Sequence, residues 1–238
     1  MLWDWPAEEA YPYNLPALRG LSRITFHRPV TFLVGENGTG KSTLLEAIAI
    51  AAGFNPEGGS RSNMFQHAKT ESTLHEHLRL SWLPKATSGF FFRAESFFNF
   101  ASHVDEAERI RATGYAAYGG TSLHEQSHGE SFLALFLHRL GNRNNSLYLL
   151  DEPEAALSPS RQLALLRILH DHEQAGGAQF LIATHSPILL GYPGAAILSF
   201  DRTPLAPVEY EDTESYRLTR QFLMQREGIL RALFSQEE

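Results

Sequence analysis

The sequence predicts an α/β domain on an open, mainly parallel sheet. Short apolar runs rich in β-branched and aromatic residues alternate with longer stretches of helical periodicity, and a glycine turn joins the first such run to the first helix. "VTFLV", residues 30–34, follows Pro29 and stops at Gly35, so it reads as a strand buried on both faces. "KSTLLEAIAIAAG" then places Leu44, Leu45, Ile48 and Ala52 on one helical face, with Gly53 as a stop.

Residues 54–128 are richer in Gly, Ser, His and Phe and are expected to form an irregular helical insertion. Strands are expected at "HEHLRLSW" and at "SGFFFRA", one of them returning to the sheet, with a helix at "DEAERIRAT". The alternation then resumes with helix "ESFLALFLHRLG", strand "LYLL", helix "PSRQLALLRILHDHEQAGG" and strands "QFLIA" and "AILSF". After Glu209 comes a charged helix, "ESYRLTRQFLMQR", with Tyr216, Phe222 and Leu223 as its apolar contacts. Residues 1–238 read as one domain, without internal repeats or coiled-coil heptads.

Composition narrows the function. The chain has 238 residues, 43% of them apolar and 20% charged, which suits a globular domain with a sizeable core. A net charge of −7 argues against coating nucleic acid by charge alone, although a local basic groove stays open. The absence of cysteine excludes disulfides, thiolate nucleophiles and Cys-ligated zinc, and is compatible with a reducing compartment. The most apolar stretch is broken by His185, Ser186 and Pro187, so no membrane span is expected. The N-terminus lacks the basic start and apolar core of a signal peptide, and the expected location is the cytoplasm.

The chemistry is carried first by "GENGTGKST", residues 35–43, which matches G-x-x-x-x-G-K-[ST] between a predicted strand and a predicted helix. Gly35, Gly38 and Gly40 let the backbone turn sharply and come close to a ligand. Successive N–H groups, including those of Asn37 and Thr39, and the helix N-terminus can then surround phosphate oxygens. Lys41 adds a point charge, Ser42 a hydroxyl for Mg²⁺ and Thr43 a contact to the α-phosphate. The nucleotide expected is ATP.

A phosphate cradle needs a metal partner and a group to orient water. "SLYLLDEPE" offers both at the carboxyl edge of a central strand, where open sheets bind ligands. Asp151 would complete the magnesium site with Ser42, and Glu152 would polarise the attacking water. Glu154, after Pro153, is ambiguous and fits a helix-start carboxylate.

"QSHGESFLALF", residues 126–136, has two readings: a serine hydrolase with Ser131 as nucleophile and His128 or His124 as base, or a helix N-terminus facing phosphate. The first lacks a G-x-S-x-G elbow.

Together these motifs resemble the ABC-class P-loop ATPases, and among them the small soluble bacterial ATPases of AAA-family or SMC/RecF-like type. "DEPEAALSP" looks like that group's Walker B and D-loop, and "ATHSP" (residues 183–187) like its histidine switch. The resemblance implies a homodimer that sandwiches two nucleotides. "SHGES" would be the signature: Ser127 and Gly129 match, while His128 and Glu130 replace a glycine and a glutamine. Ser127, Gly129 and Glu130 would then serve the nucleotide of the opposite subunit. His185 would contact the γ-phosphate and hold Glu152 with the water. The family's Q-loop glutamine falls near Glu95 in "FFFRAES", where a carboxylate can join the magnesium shell, with Arg93 as the other candidate.

The resemblance to transporter ATPases also implies an upstream aromatic that stacks on adenine, Tyr11 or Tyr13, but packing or interface use is the preferred reading. His75 and His77 would share a strand face without further zinc ligands, and the phenylalanines of "GFFFRAESFFNF" read as core. The leading function is ATP hydrolysis whose dimer opening and closing operates a separate effector, as relatives do in DNA repair or anti-phage defence. Ser127 follows Lys41 by 86 positions, which leaves no room for a long coiled coil. The alternatives are the nucleotide-binding subunit of an ABC transporter and a low-turnover ATP-sensing switch.

Overall fold

A computed structural model describes residues 2–3, 10–61, 72–125, 128–139 and 145–235. At its centre is a six-stranded sheet made of β2 (Val30–Val34), β4 (Ser88–Arg93), β5 (Ser146–Asp151), β6 (Ala178–Ala183), β7 (Ala196–Ser199) and β8 (Ala206–Pro207), in the order β4-β5-β6-β2-β7-β8. The first five neighbours run parallel and β8 returns antiparallel to β7. A short pair, β1 (Leu2–Trp3) with β3 (Leu78–Arg79), lies outside the sheet. β2 and β5 are buried at every residue, as the continuous apolar runs require of strands covered on both faces.

Alternation along each strand splits the core in two. Leu33, Phe91, Leu149 and Leu181 pack with Leu44, Leu45 and Ile48 of α1 (Lys41–Ala51). On the other face Phe32, Phe92, Leu150 and Ile182 meet α2 (Phe97–Arg111), α3 (His128–Arg139) and α4 (Pro159–Ala175) through Phe100, Phe136 and Leu169. Phe92 is the hub of this second core: its ring lies 4.8 Å from Phe132, 5.1 Å from Phe136 and 5.9 Å from Phe97. Each such aromatic pair adds about 0.5–1.5 kcal/mol beyond burial.

Register brings the functional edge together. Leu33 pairs with Ala183 and Ala183 with Asp151, so β2, β6 and β5 end side by side. β6 stands between the strand leading into the glycine loop and the strand leading into the acid pair. The turn after β6 therefore emerges between them.

The insertion departs from its expected pattern. "HEHL" forms a 3-10 turn, Leu74–His77, because Leu74 is pulled into the core while the Ser72 hydroxyl caps its N–H. Strand pairing there shrinks to Leu78–Arg79, and His75 and His77 share no strand face. His77 packs edge-on to Tyr13 at 5.3 Å, and His75 contacts the Ser72 carbonyl. α2 begins at Phe97, earlier than expected, since Phe97, Phe100 and Val104 bury one helical stripe.

A short helix, α5 (Pro187–Leu190), follows the turn after β6, and the last helix, α6 (Glu214–Phe234), is longer than its sequence pattern implies and is kinked at Gln225. Tyr216 does pack, its ring 4.5 Å from Tyr210, and Phe222 is 37% exposed, but Leu223 is exposed at 73%. Among the described residues no helix is long and apolar enough to cross a membrane.

Candidate functional site

The glycine loop follows β2 directly. Gly35 has φ 145° and Gly40 φ 102°, both in the region that disfavours side chains. A Cβ on Gly35 would sit 2.9 Å from Phe200 Cβ, and one on Gly40 would sit 2.7 Å from Leu15 Cδ1. Space as well as backbone angle therefore demands glycine. Gly40 caps α1, whose N-terminal N–H groups open onto the loop.

Lys41 Nζ donates to the carbonyls of Gly35 at 2.6 Å and Glu36 at 2.8 Å, so the ammonium spans the loop. Burial lowers its pKa, while the carboxylates of Glu152, Asp201, Asp151 and Glu154 work against that shift. Thr39 Oγ1 donates to the Glu36 carbonyl at 2.8 Å. The loop's outer side is braced by Asp201, whose Oδ1 accepts the Glu36 N–H at 2.9 Å. Asp201 was not singled out from the sequence, although an acid directly after "AILSF" at the same sheet edge was a usable signal. Thr43 Oγ1 shares a hydrogen bond with Tyr11 OH at 2.7 Å. Tyr11 is exposed at the start of α1, whereas Tyr13 is buried and bonded to Thr73 Oγ1 at 2.5 Å.

Across the edge, Ser42 Oγ donates to Asp151 Oδ1 at 2.9 Å. Arg93, at the end of β4, reaches Glu46 Oε2 at 2.7 Å, Glu95 Oε2 at 3.6 Å and Asp151 Oδ2 at 3.8 Å. Burial pushes the Asp151 carboxyl up to about 6, against the Ser42 hydrogen bond and Arg93. A buried carboxylate in this state is undercompensated, and with the Ser42 hydroxyl it offers the hard oxygen donors that magnesium takes. The donor set thus fits Mg²⁺. Glu95 is exposed and ion-paired to Arg93.

Glu152 follows β5 in the left-handed region, φ 51°, which for a non-glycine residue costs about 1–3 kcal/mol. The Glu152 N–H donates to the Ala183 carbonyl at 2.9 Å, which fastens this strained turn to the end of β6. Glu152 lines an open cavity of about 560 Å³ together with Glu36, Asn37, Glu154, Ala155, His185 and Glu214.

His185 is held from both sides. Its N–H donates to Glu154 Oε1 at 2.6 Å, and the following Ser186 Oγ donates to Gln162 Oε1 at 2.5 Å. Gln162 is itself anchored, its Nε2 donating to the Leu157 carbonyl at 3.0 Å. Two buried polar atoms at this cavity lack protein partners, His185 Nε2 and Glu154 Oε2. Such atoms are rare and commonly mark a place where water or ligand enters. Glu154 and Gln162 were missed as site residues because their role lies in tying two distant turns together, which spacing does not reveal.

Asn37, Glu152 and His185 thus surround one cavity beside Lys41, Ser42 and Asp151. Glu130, of the signature stretch, does not line this cavity. Gly129 and Glu130 are the second and third residues of α3, Glu130 lies 3.9 Å from Arg161, and Ser127 lies outside the described residues.

Residues 75–191 match the family described as "AAA domain, putative AbiEii toxin, Type IV TA system", and residues 14–111 match one described as "AAA domain". Among curated proteins, the chain is 31% identical to the hemin import ATP-binding protein HmuV of Nocardia farcinica over 194 residues, covering 74% of this chain and 66% of that protein. It is 27% identical to the thiamine import ATP-binding protein ThiQ of Rhizobium meliloti over 183 residues, covering 73% of this chain and 75% of that protein. Among solved structures, cbiO1 from Clostridium perfringens, part of the ABC transporter complex cbiONQ, is matched at 18% identity and TM-score 0.44, over 91% of this chain and 92% of that one.

Proposed function

From the premise that the chain is a P-loop ATPase of ABC/SMC-like type, we propose that it binds ATP with magnesium, dimerises around the nucleotide and couples hydrolysis to a separate effector. The observation that carries this is the contact of Ser42 with Asp151 beside Lys41, with Glu152 and His185 lining the adjoining cavity. In this reading Lys41 leaves the loop carbonyls for the β- and γ-phosphate oxygens, and the loop N–H groups from Asn37 to Thr43 take the remaining oxygens. Ser42 and Asp151 would hold magnesium, with Glu95 able to reach its shell through water. Magnesium, when bound, supplies charge neutralisation at the phosphates.

Glu152 takes a proton from the attacking water as its oxygen bonds to the γ-phosphorus. The bond to the bridging oxygen breaks, and ADP leaves with that electron pair. Such a base contributes about 10²–10⁴ in rate. His185 turns its unpartnered Nε2 toward the γ-phosphoryl group while Glu154 fixes its backbone. Ser127, Gly129 and Glu130 are supplied by the second copy. Phosphate release from ATP by the purified protein, abolished in Lys41→Ala and Glu152→Gln, tests the reading; turnover that survives both substitutions contradicts it. DNA repair or anti-phage defence fits the small soluble relatives that the motifs resemble.

A second reading, the nucleotide-binding subunit of an importer, is favoured by the likeness to HmuV and ThiQ, ATP-binding proteins of hemin and thiamine import. Co-purification of the chain with a membrane protein from its native source supports it. Recovery of the chain only with soluble protein or DNA speaks for the first.

A further inference from the structure

α6 is the one long helix among the described residues that buries none of its residues. It exposes Leu218 at 63%, Phe222 at 37%, Leu223 at 73%, Met224 at 76%, Leu233 at 61% and Phe234 at 74%. At roughly 60–120 Å² of apolar area per side chain of this kind, these six leave on the order of 300–500 Å² in water. That is as large as the roughly 300–600 Å² of the largest patch on a typical monomer, and about half of the roughly 800 Å² that each partner of a stable complex contributes. Leu218 and Phe222 lie one turn apart, and Leu223 and Met224 carry the apolar surface further round. A helix this widely apolar belongs under cover.

Two observations indicate what covers it. α6 carries four arginines and two glutamates, a net +2 on a chain of net −7, so the rest of the chain holds −9. The helix is therefore complementary in charge to another copy of its own body. Its root also lies at the nucleotide face: Glu214 and Arg217 line a cavity of about 400 Å³ with Gly35, Glu36, His185 and Asp201.

We propose that α6 is a docking arm for a second copy of this chain. Its apolar surface packs against the second copy, and its arginines meet the acidic rim of that copy's nucleotide face. This deepens the dimer reading given above and rests on it. Arg220 and Arg226, both exposed, are the arm's charged contacts.

Because the chain has no cysteine, Met224→Cys gives a single site for a spin label. In a Glu152→Gln background with ATP and magnesium, light scattering and label mobility are read together. The expected result is a dimer in which the label is immobilised. Leu223→Glu with Met224→Glu should weaken dimerisation at least about tenfold, given roughly 1.5–3 kcal/mol for burying one such side chain. Arg220→Glu with Arg226→Glu should weaken it and flatten its salt dependence. Circular dichroism and ATP binding by the monomer should be unchanged in both, since nothing in α6 is buried.

A dimer that forms with the label still mobile and is indifferent to both double variants overturns the arm while leaving the nucleotide-dependent dimer standing. A dimer that forms without nucleotide and is lost on substitution supports the arm and counts against nucleotide-gated closure. A chain that stays monomeric overturns both, and sedimentation of that monomer with anionic phosphatidylserine vesicles would assign α6 to a lipid surface instead.

Discussion

Glu154 accepts the backbone N–H of His185 at 2.6 Å and so ties the turn after β5 to the turn after β6. Glu154 and His185 are 31 residues apart in sequence, and this bond fixes the turn carrying Asp151 and Glu152 against the turn carrying His185. Removing a buried acceptor costs about 1–3 kcal/mol, on the order of a tenfold to hundredfold change. Glu154→Ala should therefore lower kcat by roughly that factor with KM nearly unchanged, whereas Glu154→Gln, which keeps a carbonyl acceptor, should retain most activity. Steady-state kinetics on the two variants decides it, and equal losses in both would show that the acceptor is not what matters.

Asp151 makes a prediction about stability. Its folded-state carboxyl is raised by burial from 3.8 to about 6, so ionising it opposes folding. That penalty is absent below about pH 4, grows between pH 4 and 6, and is complete above pH 6. At about 1.4 kcal/mol per pK unit it amounts to roughly 3 kcal/mol. In magnesium-free buffer at pH 7, Asp151→Asn should raise Tm by several degrees, while stabilisation by added magnesium and ATP is lost. Calorimetry in EDTA that shows a lower Tm for the variant would contradict this.

Phe92 joins β4 to α2 and α3 through three ring contacts. Phe92→Ala should destabilise the protein by about 3–5 kcal/mol, the usual range for a buried phenylalanine. Urea unfolding of the variant provides the measurement, and a loss below about 1 kcal/mol would mean the insertion is not packed as described.

Action across an interface predicts complementation. Ser127→Arg alone and Lys41→Ala alone should each lack turnover, yet mixing the two should restore part of it, since the heterodimer contains one site with both an intact cradle and an intact signature. No recovery over a range of mixing ratios would place Ser127 outside the partner's site.

Much of the fold could be read from the chain because its determinants are local. "VTFLV" and "LYLL" are unbroken apolar runs and become strands buried on both faces. The glycine loop was legible for a sharper reason: at Gly35 and Gly40 both the backbone angle and the space exclude a side chain. What escaped were bonds between segments far apart in sequence, such as Glu36 with Asp201, Ser186 with Gln162, and Arg93 with Glu46. His75 and His77 misled because alternation suggests a strand, while burial of Leu74 and the Ser72 cap favour a tight turn. α6 misled in the other direction. Its apolar residues signal a helix face, but the surface that would cover them is not in the chain's own core.

Activation of water by Glu152 in a nucleotide-bound dimer is decided by light scattering and phosphate release on Glu152→Gln. The expected result is an ATP-dependent dimer with turnover reduced at least about a hundredfold. A variant that hydrolyses ATP at the parent rate, or that stays monomeric with ATP and magnesium, would contradict it.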